Sequence, residues 1–292
     1  KAIEKNLDHG EGADICIFAN FVLLNLASGR STILIPSQWK NLKKISQIDL
    51  SPTSLTCGPA FLRKLMVENP VSSLRHVHVG GALTDTKLFE AAFKQWPHTY
   101  FTHVYGSSEA EPVCFSDAKK AVEMSKNKNF FQTLFIGKPV NEISYEISPD
   151  TLWVTGAHVC KMYWGKTNEN DVNKKQVLGE IWHNMGDRIM EDHLGWWYSG
   201  RSSQTSEEFK YEQAAYWIRQ DSTCFLVPAA GTSSSGGEYY LCGENAQLRK
   251  KEIEKALPIK DTIEMKILRD ARHRSRIDRN LSLKKGAPWL IG

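Results

Sequence analysis

Residues 75–109 read RHVHVGGALTDTKLFEAAFKQWPHTYFTHVYGSSE, and the fold prediction rests on this stretch. In its first five residues, polar and apolar side chains alternate from His76 to Val79. Residues 100–105 form a second run rich in aromatic and β-branched residues, so both 75–79 and 100–105 are predicted strands. Between them, a helix predicted at 85–96, with Thr84 as its N-cap, places five apolar side chains on one face: Leu88, Phe89, Ala92, Phe93 and Trp96. The pattern predicts a strand–helix–strand unit with parallel strands.

The residues before this unit continue the same pattern. Short apolar runs at 13–18, 31–35 and 54–57 predict three more strands. Strands that alternate with helical segments favour a parallel sheet, and ligands bind such sheets at the loops that follow the carboxyl ends of the strands. We therefore predict an α/β fold in which residues 1–125 form a parallel α/β layer.

The pattern changes after this layer to short strands without long helices between them. These strands, at 152–155, 179–182 and 196–198, predict a small β-sheet or a β-barrel-like subdomain over 126–202. We assign 1–202 to one large domain and 203–292 to a small mobile α+β domain, with the polar stretch 201–208 as the linker. The small domain is predicted to contain helices at 212–220 and 248–257 and strands at 224–227, 239–242 and 263–268.

The composition is that of a globular protein, with 41% hydrophobic and 24% charged residues in a chain of 292. A net charge of +4 is too small to indicate a nucleic-acid or membrane partner, and the longest apolar run, 21–27, is too short for a transmembrane helix. The six cysteines are too widely spaced for a zinc or redox motif, which favours a reduced, cytoplasmic protein. The chain starts without Met or a signal-peptide core, so we expect it to be a piece of a longer protein.

The segment 105–109 brings four ligand-binding groups to the end of a predicted strand. The ring of Tyr105 can stack on a base, Gly106 admits a ligand to the backbone, the hydroxyl of Ser107 can donate to a phosphate, and the carboxylate of Glu109 can hold Mg²⁺. The alternative is an ordinary strand-to-helix loop in which the serine and the glutamate cap a helix.

Two further segments have a functional and a structural interpretation. Gly80, Gly81 and Ala82 follow the strand at 75–79, and they open at the same sheet edge as 105–109 if the two strands are neighbours; otherwise they form a simple turn. Asp187 follows Gly186, and its carboxylate can accept hydrogen bonds from both hydroxyls of a ribose, with Arg201 near the sugar or a phosphate. The structural alternative for this pair is a salt-bridged hairpin.

Two other segments carry less functional signal. The run 231–237, GTSSSGG, has the composition of a phosphate-binding loop, but no Lys follows it and it joins two predicted strands, so a flexible hairpin turn is favoured. His76 and His78 alternate along a strand, and no third metal ligand is evident beside them.

In this order and spacing, the three segments 80–82, 105–109 and 186–201 resemble the superfamily of AMP-forming acyl-adenylating enzymes. Its members include acyl-CoA synthetases, luciferases and the adenylation domains of peptide synthetases. The resemblance covers essentially the whole chain, including the Gly-x-Pro strand at 136–140. The residues of three segments, 58–62, 108–113 and 182–187, most resemble the β-lactone synthetases of bacterial olefin biosynthesis and their fatty-acyl ligase-like relatives.

The resemblance implies a role for individual residues. Tyr105 would stack on adenine, Ser107 would contact the acyl-phosphate region, Glu109 would coordinate Mg²⁺, and Asp187 would hold the ribose hydroxyls with Arg201 beside it. The remaining residues implied in nucleotide binding are Gly80, Gly81, Ala82, His103 and Gly106. His103 would touch the edge of adenine, although a histidine in a strand can instead be packed in the core.

The implied activity is that of a ligase that uses ATP and Mg²⁺ to convert a carboxylic acid, of fatty or hydroxy-fatty type, into an acyl-adenylate. Lactone formation or acyl transfer would follow. Two features depart from the family. The phosphate loop of the superfamily is absent, so we expect either a longer enzyme or a partner chain to supply it. Arg276 occupies the position of the catalytic Lys near the end of the small domain.

A third departure lowers the expectation that coenzyme A is used. Residues 207–209, Glu-Glu-Phe, replace the Gly-containing strand that meets pantetheine in the members that form thioesters. Together the departures leave a second hypothesis open, namely a degenerate, non-catalytic homologue that binds a nucleotide or a partner. Shared fold does not by itself establish activity.

Overall fold

The structure is a computed structural model. It describes residues 2–7, 10–35, 42–47, 50–68, 71–82, 84, 86–126, 134–149, 151–165, 167–202, 224–229, 238–254, 258–269 and 277–290. The chain forms two compact units. The larger comprises 1–128 and 133–202, and the smaller comprises 129–132 and 203–292. The assignment of these units to the domains of a ligase stays a prediction.

The described part of the larger unit contains thirteen strands in two sheets. They are β1 (Ala13–Cys16), β2 (Thr32–Leu34), β3 (Pro52–Cys57), β4 (His76–Val79), β5 (Tyr100–Ser107), β6 (Ala110–Asp117), β7 (Leu134–Pro139), β8 (Ile143–Ile147), β9 (Leu152–Gly156), β10 (Lys174–Val177), β11 (Glu180–Asn184), β12 (Asp187–Asp192) and β13 (Gly195–Arg201). The large sheet has the order β12-β13-β7-β6-β5-β4-β3-β1-β2. Strands β1 to β5 pair in parallel, which confirms the predicted parallel layer.

Helices connect the parallel strands and cover the sheet. In the larger unit they are α1 (Ala2–Asn6), α2 (Ala19–Ala27), a 3₁₀ helix (Leu42–Gln47), α3 (Pro59–Glu68), α4 (Thr86–Gln95), α5 (Ala118–Lys126) and α6 (Thr167–Asn173). The predicted apolar face of α4 is confirmed, because Leu88, Phe89, Ala92 and Trp96 are buried in the main core and Phe93 packs against it. Among the described residues, no helix combines the length and the apolar composition needed to span a bilayer.

The chain after Tyr105 forms a hairpin, and the alternative of a loop leading into a helix is wrong. Strand β5 continues to Ser107, residues 108 and 109 form a turn, and β6 returns antiparallel to β5. The returning segment favours a strand because it carries buried residues on both faces, including Ala110, Val113 and Cys114. The large sheet therefore continues in antiparallel pairing beyond β5.

The strands after residue 126 are divided between the two sheets. Strands β7, β12 and β13 extend the large sheet, and β10-β11-β9-β8 form a separate four-stranded sheet. This smaller sheet is antiparallel and open, so the barrel-like expectation is corrected to an open sheet: β8 and β10 are its two edges and do not pair with each other. Its inner residues Leu152 and Val154 pack in a second core with Trp196.

The smaller unit has its own sheet and core. Its described strands are β14 (Cys224–Pro228), β15 (Tyr239–Gly243) and β16 (Ile259–Glu264), and its helices are α7 (Ala246–Ile253), α8 (Arg279–Gly286) and a 3₁₀ helix (Pro288–Leu290). The α+β prediction is confirmed. The strand predicted at 263–268 lies four residues too late, because β16 pairs with β15 from Ile259 onward. The predicted helix at 212–220 and the turn at 231–237 lie outside the described residues.

Candidate functional site

The loops after β4 and β5 open at the same edge of the large sheet. The two strands are parallel neighbours, with Val79 paired to His103, so Gly80 and Gly81 lie beside the strand that ends in Tyr105. A Cβ on Gly80 would stand 2.6 Å from the carbonyl oxygen of Val104. The close approach of the two strands therefore leaves no room for a side chain at Gly80. Gly81 has a φ of +75°, a backbone conformation that favours glycine, so the turn itself requires this residue.

Gly106 is also explained by backbone contact. A Cβ at this position would lie 2.7 Å from the carbonyl oxygen of Ala110, across the hairpin. Because that oxygen is backbone, it cannot move aside as a flexible side chain would. The hairpin therefore needs a glycine here whether or not a ligand approaches it.

Tyr105, Asp187 and Arg201 form a connected polar group. The Tyr105 hydroxyl donates to Asp187 Oδ2 over 2.7 Å, and Arg201 Nη1 lies 3.0 Å from Asp187 Oδ1. Arg201 Nη1 also donates to the carbonyl of Met185 over 3.1 Å. The ion pair joins β12 to β13, where Asp187 and Arg201 are paired in register, so the salt-bridged hairpin is present and Tyr105 is added to it.

This contact requires the sheet to curve. Strands β5 and β12 are separated in the sheet order by β6, β7 and β13, which would place them roughly 19 Å apart in a flat sheet with the usual strand spacing. The hydroxyl of Tyr105 and the carboxylate of Asp187 nevertheless lie 2.7 Å apart. The antiparallel half of the sheet therefore curves enough for side chains on its first and last strands to reach each other, and this brings two predicted site residues together.

Burial and charge act together in this group. Burial, and then the neighbouring carboxylate of Asp187, raise the pKa of Tyr105 well above its ordinary value, so the hydroxyl stays a proton donor. Burial works against the charge of Arg201. The attraction of Asp187, the interactions with Tyr198 and Tyr105 and the hydrogen bond to Asp187 together outweigh it, and the pKa of the guanidinium is raised. Asp187 itself has only 6% of its surface exposed, so its charge depends on these partners.

Glu109 lies in the turn between β5 and β6 and is tied to three other segments. Its backbone N–H donates to Ser107 Oγ over 3.3 Å, and its carbonyl accepts from the backbone N–H of Cys160 over 2.7 Å. Burial opposes the charge of the Glu109 carboxylate and acts to raise its pKa. Four interactions together outweigh burial and lower the pKa: a hydrogen bond from its own backbone, a hydrogen bond from Ser107, the charge of His183 and a hydrogen bond from Tyr163. The carboxylate is therefore held ionised.

The sequence analysis missed three residues that surround Glu109: Tyr163, Lys174 and His183. Lys174 Nζ lies 5.0 Å from the centre of the Tyr163 ring, and His183 meets the same ring edge-on at 6.3 Å. The residues come from three separate segments that only folding brings together. The one available signal was His183, which stands four residues before Asp187 and directly after the strand predicted at 179–182.

Ser107 lies between Glu109 and the Tyr105 group. Its hydroxyl faces the sulfur of Met185, 3.9 Å away, and Met185 is the residue whose carbonyl binds Arg201. The described structure thus brings Tyr105, Ser107, Glu109 and the Asp187–Arg201 pair into one region. Arg276 and residues 207–209 lie outside the described residues.

His103 is placed in the core, and its role as a nucleotide contact stays a prediction. Its ring packs edge-on against Phe89 of α4 at 5.8 Å and is 3% exposed. Burial lowers its pKa to about 4, against a weaker opposing hydrogen bond with the backbone of Phe135, so the ring is neutral at pH 7. The packed alternative for a histidine in a strand accounts for this residue.

The donor set around Glu109 is compatible with one kind of metal site. Within the part of the chain that the structure describes, no group of three or more His, Cys, Asp or Glu side chains is placed to hold a metal ion by itself. Mg²⁺, however, is commonly bound by one or two carboxylates together with substrate phosphates. An ionised, half-buried Glu109 fits that mode and does not fit an all-protein site.

Comparison with known proteins gives a clear result for the fold. No protein-family model matches the sequence, and no curated protein matches it. The structure is similar to E. coli MenE with bound OSB-AMS (TM-score 0.68, 18% identity, covering 96% of this chain and 62% of that one). It is also similar to the O-succinylbenzoate coenzyme A synthetase of Bacillus subtilis in complex with AMP (0.70, 16%, 96% and 62%) and to a benzoate CoA ligase of Burkholderia xenovorans (0.67, 15%, 93% and 61%).

The chain spans about three fifths of the length of these solved structures. Each comparison covers nearly all of this chain, so both units contribute to the similarity. At these sequence identities the similarity shows a shared fold and no more.

Proposed function

We propose that this chain is part of an AMP-forming ligase that activates a carboxylic acid with ATP as an acyl-adenylate. The observation that carries the proposal is the Tyr105–Asp187–Arg201 group beside the loop of Gly81, at the carboxyl edge of a parallel sheet. This edge is where α/β sheets bind their ligands. The fold shared with AMP-bound and adenylate-analogue-bound structures supports the same site.

In this proposal Tyr105 and Asp187 hold the nucleoside. The hydroxyl of Tyr105 is anchored at 2.7 Å, so the orientation of its ring is defined before adenine stacks on it. A carboxylate has about four acceptor positions, so Asp187 can bind ribose hydroxyls while it keeps the contacts with Tyr105 and Arg201. Arg201, with 36% of its side chain exposed, can reach a sugar or phosphate oxygen from the solvent side of the pair.

Ser107 and Glu109 would act on the reacting end of the nucleotide. A carboxylate oxygen of the acid attacks the α-phosphorus of ATP, and the bond between that phosphorus and the pyrophosphate oxygen breaks. Ser107 donates to the phosphoryl or acyl oxygens, and Glu109 holds Mg²⁺. Bound Mg²⁺ would neutralise charge on the phosphate oxygens. Arg276 would supply a further cation, as a planar fork in place of a Lys.

The class of acid is a finer proposal that rests on sequence resemblance. A fatty or hydroxy-fatty acid, followed by lactone formation or acyl transfer, is one candidate, and an aromatic acid, as in the names of the similar CoA ligases, is the other. Apolar side chains near the sheet, such as Phe21, could line a pocket for a fatty chain. Phe21, however, is 1% exposed and packs in a core with Cys16 and Val104, so it does not favour the fatty acid. Binding of dodecanoyl and benzoyl sulfamoyl-adenosine to the same protein would decide between the two classes.

Calorimetric binding of AMP tests the proposed function. Wild type should bind AMP saturably, and Asp187→Asn should lose about tenfold or more in affinity, since a hydrogen-bonded charged acceptor is removed. Glu191→Gln is the matched control, because it neutralises a carboxylate on the same strand that binds Tyr145 and Trp196 instead. A folded wild type that binds no AMP would contradict the proposal and favour the degenerate, partner-binding alternative.

A further inference from the structure

A hydrogen bond between two side chains joins α2 to β6 beside the proposed site. Asn20 Nδ2 donates to Glu111 Oε2 over 2.5 Å, although the residues are 91 positions apart in sequence. Asn20 is the second residue of α2, and Glu111 is the second residue of β6. Asn20 is exposed and Glu111 is half-buried, so both are accessible to solvent. We call these two residues the α2–β6 pair.

The start of α2 lies at the carboxyl edge of the large sheet. Strand β1 ends at Cys16, three residues before α2 begins, and β1, β3, β4 and β5 are parallel neighbours in that order. The segment after β1 therefore opens at the same edge as the turn that contains Gly81. The two segments approach closely, since a Cβ on Gly81 would lie 3.3 Å from Phe18 Cζ. Asn20 thus lies in the first turn of a helix that starts beside this turn.

Glu111 lies against the strand that carries two of the proposed site residues. A Cβ on Gly106 would stand 3.3 Å from the Cα of Glu111 and 3.4 Å from its Cγ. Gly106 separates Tyr105 from Ser107, so the Glu111 side chain starts beside the backbone that links them. Because side chains alternate across a strand, Tyr105 and Ser107 share one face of β5, and Glu111 lies at the other.

The second face of β5 is the one available to the acid. In the proposed function the nucleoside lies against Tyr105, and the carboxyl group of the acid lies near Ser107. The rest of the acid is then directed away from the nucleoside, toward the opposite face. This face is the side of α2, because Val104 packs in one core with Phe21. The α2–β6 pair lies there too, close to the place of the reacting carboxyl group.

The pair offers more acceptors than donors. A carboxylate accepts at about four positions and donates at none, and the Asn20 amide adds an acceptor oxygen to its two N–H groups. One of these N–H groups is used in the bond to Glu111. A hydrocarbon chain at this place would remove water from the acceptors and supply no hydrogen bond in return, whereas a hydroxyl or an ammonium group would donate to them.

We propose that the α2–β6 pair recognises a hydrogen-bond donor, a hydroxyl or an ammonium group, that the acid carries near its carboxyl group. The inference rests on the proposed function and names the class of acid within it. Glu111 accepts from this donor, and Asn20 is a positioning residue that holds the Glu111 carboxylate in place. Selectivity then comes both from the bond made to the donor and from the unfavourable desolvation by acids that lack one.

Three adenylate analogues of equal chain length test this recognition. They are butanoyl, 3-hydroxybutanoyl and 3-aminobutanoyl sulfamoyl-adenosine, and calorimetry measures the dissociation constant of each. Wild type should bind the better of the two donor-bearing analogues about tenfold more tightly than the butanoyl analogue. The hydroxyl and amino analogues distinguish a hydroxy acid from an amino acid, since the larger gain in affinity identifies the donor.

Two variants test the two members of the pair. Glu111→Gln keeps the shape and removes the charge, so it should reduce the tenfold preference to about threefold, because a neutral hydrogen bond is about half as strong as a charged one. Asn20→Ala leaves Glu111 in place and should reduce the preference less. Urea unfolding of each variant checks that it is folded.

The chain contains a matched control for the loss of one carboxylate. Glu146 Oε2 accepts from Lys175 Nζ over 2.6 Å, on the separate four-stranded sheet. Glu146→Gln changes the net charge by the same amount as Glu111→Gln and lies outside the proposed site. It should therefore keep the wild-type preference among the three analogues.

The outcomes separate the two proposals. If wild type binds AMP but binds the butanoyl analogue as tightly as the other two, the recognition of a donor is wrong and the proposed nucleotide site stands. A preference that is unchanged in Glu111→Gln would also overturn the role of the pair. If wild type binds neither AMP nor any analogue, the proposed function fails, and the inference that rests on it fails with it.

Discussion

Tyr105 on β5 and Asp187 on β12 are 82 residues apart in sequence, and the hydroxyl of one donates to the carboxylate of the other over 2.7 Å. Three strands lie between them in the sheet order. The bond therefore links the first and last strands of the antiparallel half of the sheet, and it joins the residue proposed to stack on adenine to the residue proposed to hold the ribose. A single contact thus links the stability of the larger unit to its proposed binding site.

Tyr105→Phe should separate these two roles. The substitution keeps the ring for stacking and removes the donor to a buried carboxylate, which should lower the free energy of unfolding by about 1–3 kcal/mol. Urea unfolding measures this change. Tyr105→Leu should in addition lose AMP affinity beyond the loss seen with Tyr105→Phe, because it removes the aromatic face.

Equal AMP affinity in the phenylalanine and leucine variants would show that the ring does not stack on the base. Tyr100→Phe is the control, since Tyr100 lies on the same strand with its ring half-exposed at the opposite end. That variant should match wild type in AMP affinity.

Arg201→Met should destabilise the larger unit more than the double variant Arg201→Met/Asp187→Leu does. The single change leaves a nearly buried carboxylate without its cation, whereas the double change removes both charges. Because about a third of the Arg201 side chain is exposed, we expect Arg201→Met to lower the free energy of unfolding by about 2 kcal/mol. This is less than the loss expected when one partner of a fully buried ion pair is removed. A double variant that is less stable than the single one in urea unfolding would contradict this account.

The stability of the protein should fall in mild acid because of His103. Burial lowers the pKa of His103 to about 4, against an ordinary value of 6.5, so below pH 6.5 the unfolded chain binds a proton that the folded chain excludes. This contribution is fully present above about pH 6.5 and is lost as the pH falls toward 4. Between pH 7.5 and 4.5 it should amount to roughly 2–3 kcal/mol.

Urea unfolding of wild type and His103→Gln at pH 7.5 and 4.5 measures the effect. It is the difference between the two proteins in how much unfolding free energy each loses between these pH values. His193→Gln, a change in an exposed turn, is the control and should keep the wild-type dependence on pH. If the His103 variant and wild type lose the same stability between pH 7.5 and 4.5, another group is responsible.

Leu178→Asn should stabilise the hairpin between β10 and β11. Leu178 is fully exposed at a φ of +51°, and Gly179 follows it at +84°, so both turn residues occupy the left-handed region. A leucine in that region is unfavourable by about 1–2 kcal/mol, whereas Asn-Gly is a preferred pair for such a turn. Thermal unfolding should show an increase in stability of about 0.5–1 kcal/mol.

The neighbouring substitution Val177→Asn provides the contrast. Val177 lies in β10 and is also exposed, so its replacement should lower stability, because asparagine is a poor strand residue. A destabilised Leu178→Asn would show that the leucine side chain makes a contact that its exposure conceals.

The sequence alone predicted the elements whose signal is local. The alternation at β4, the apolar face of α4 and the run at β5 each depend on neighbours within a few residues, so their order and parallel pairing could be inferred. Local chemistry also identified Tyr105, Ser107, Glu109, Asp187 and Arg201, which the structure brings into one region. The strand β6 was missed because a turn of only two residues, 108 and 109, leaves little signal to distinguish a hairpin from a loop that leads into a helix.

Only the tertiary structure decided which of these residues touch. The curvature of the sheet arises from the summed pairing of β5, β6, β7, β13 and β12, and no short stretch encodes it. The same long-range packing placed Tyr163, Lys174 and His183 around Glu109, and it turned His103 toward Phe89 in the core. Local sequence determines which groups are available, but contacts between distant segments depend on how whole elements pack, and that packing determined the candidate site.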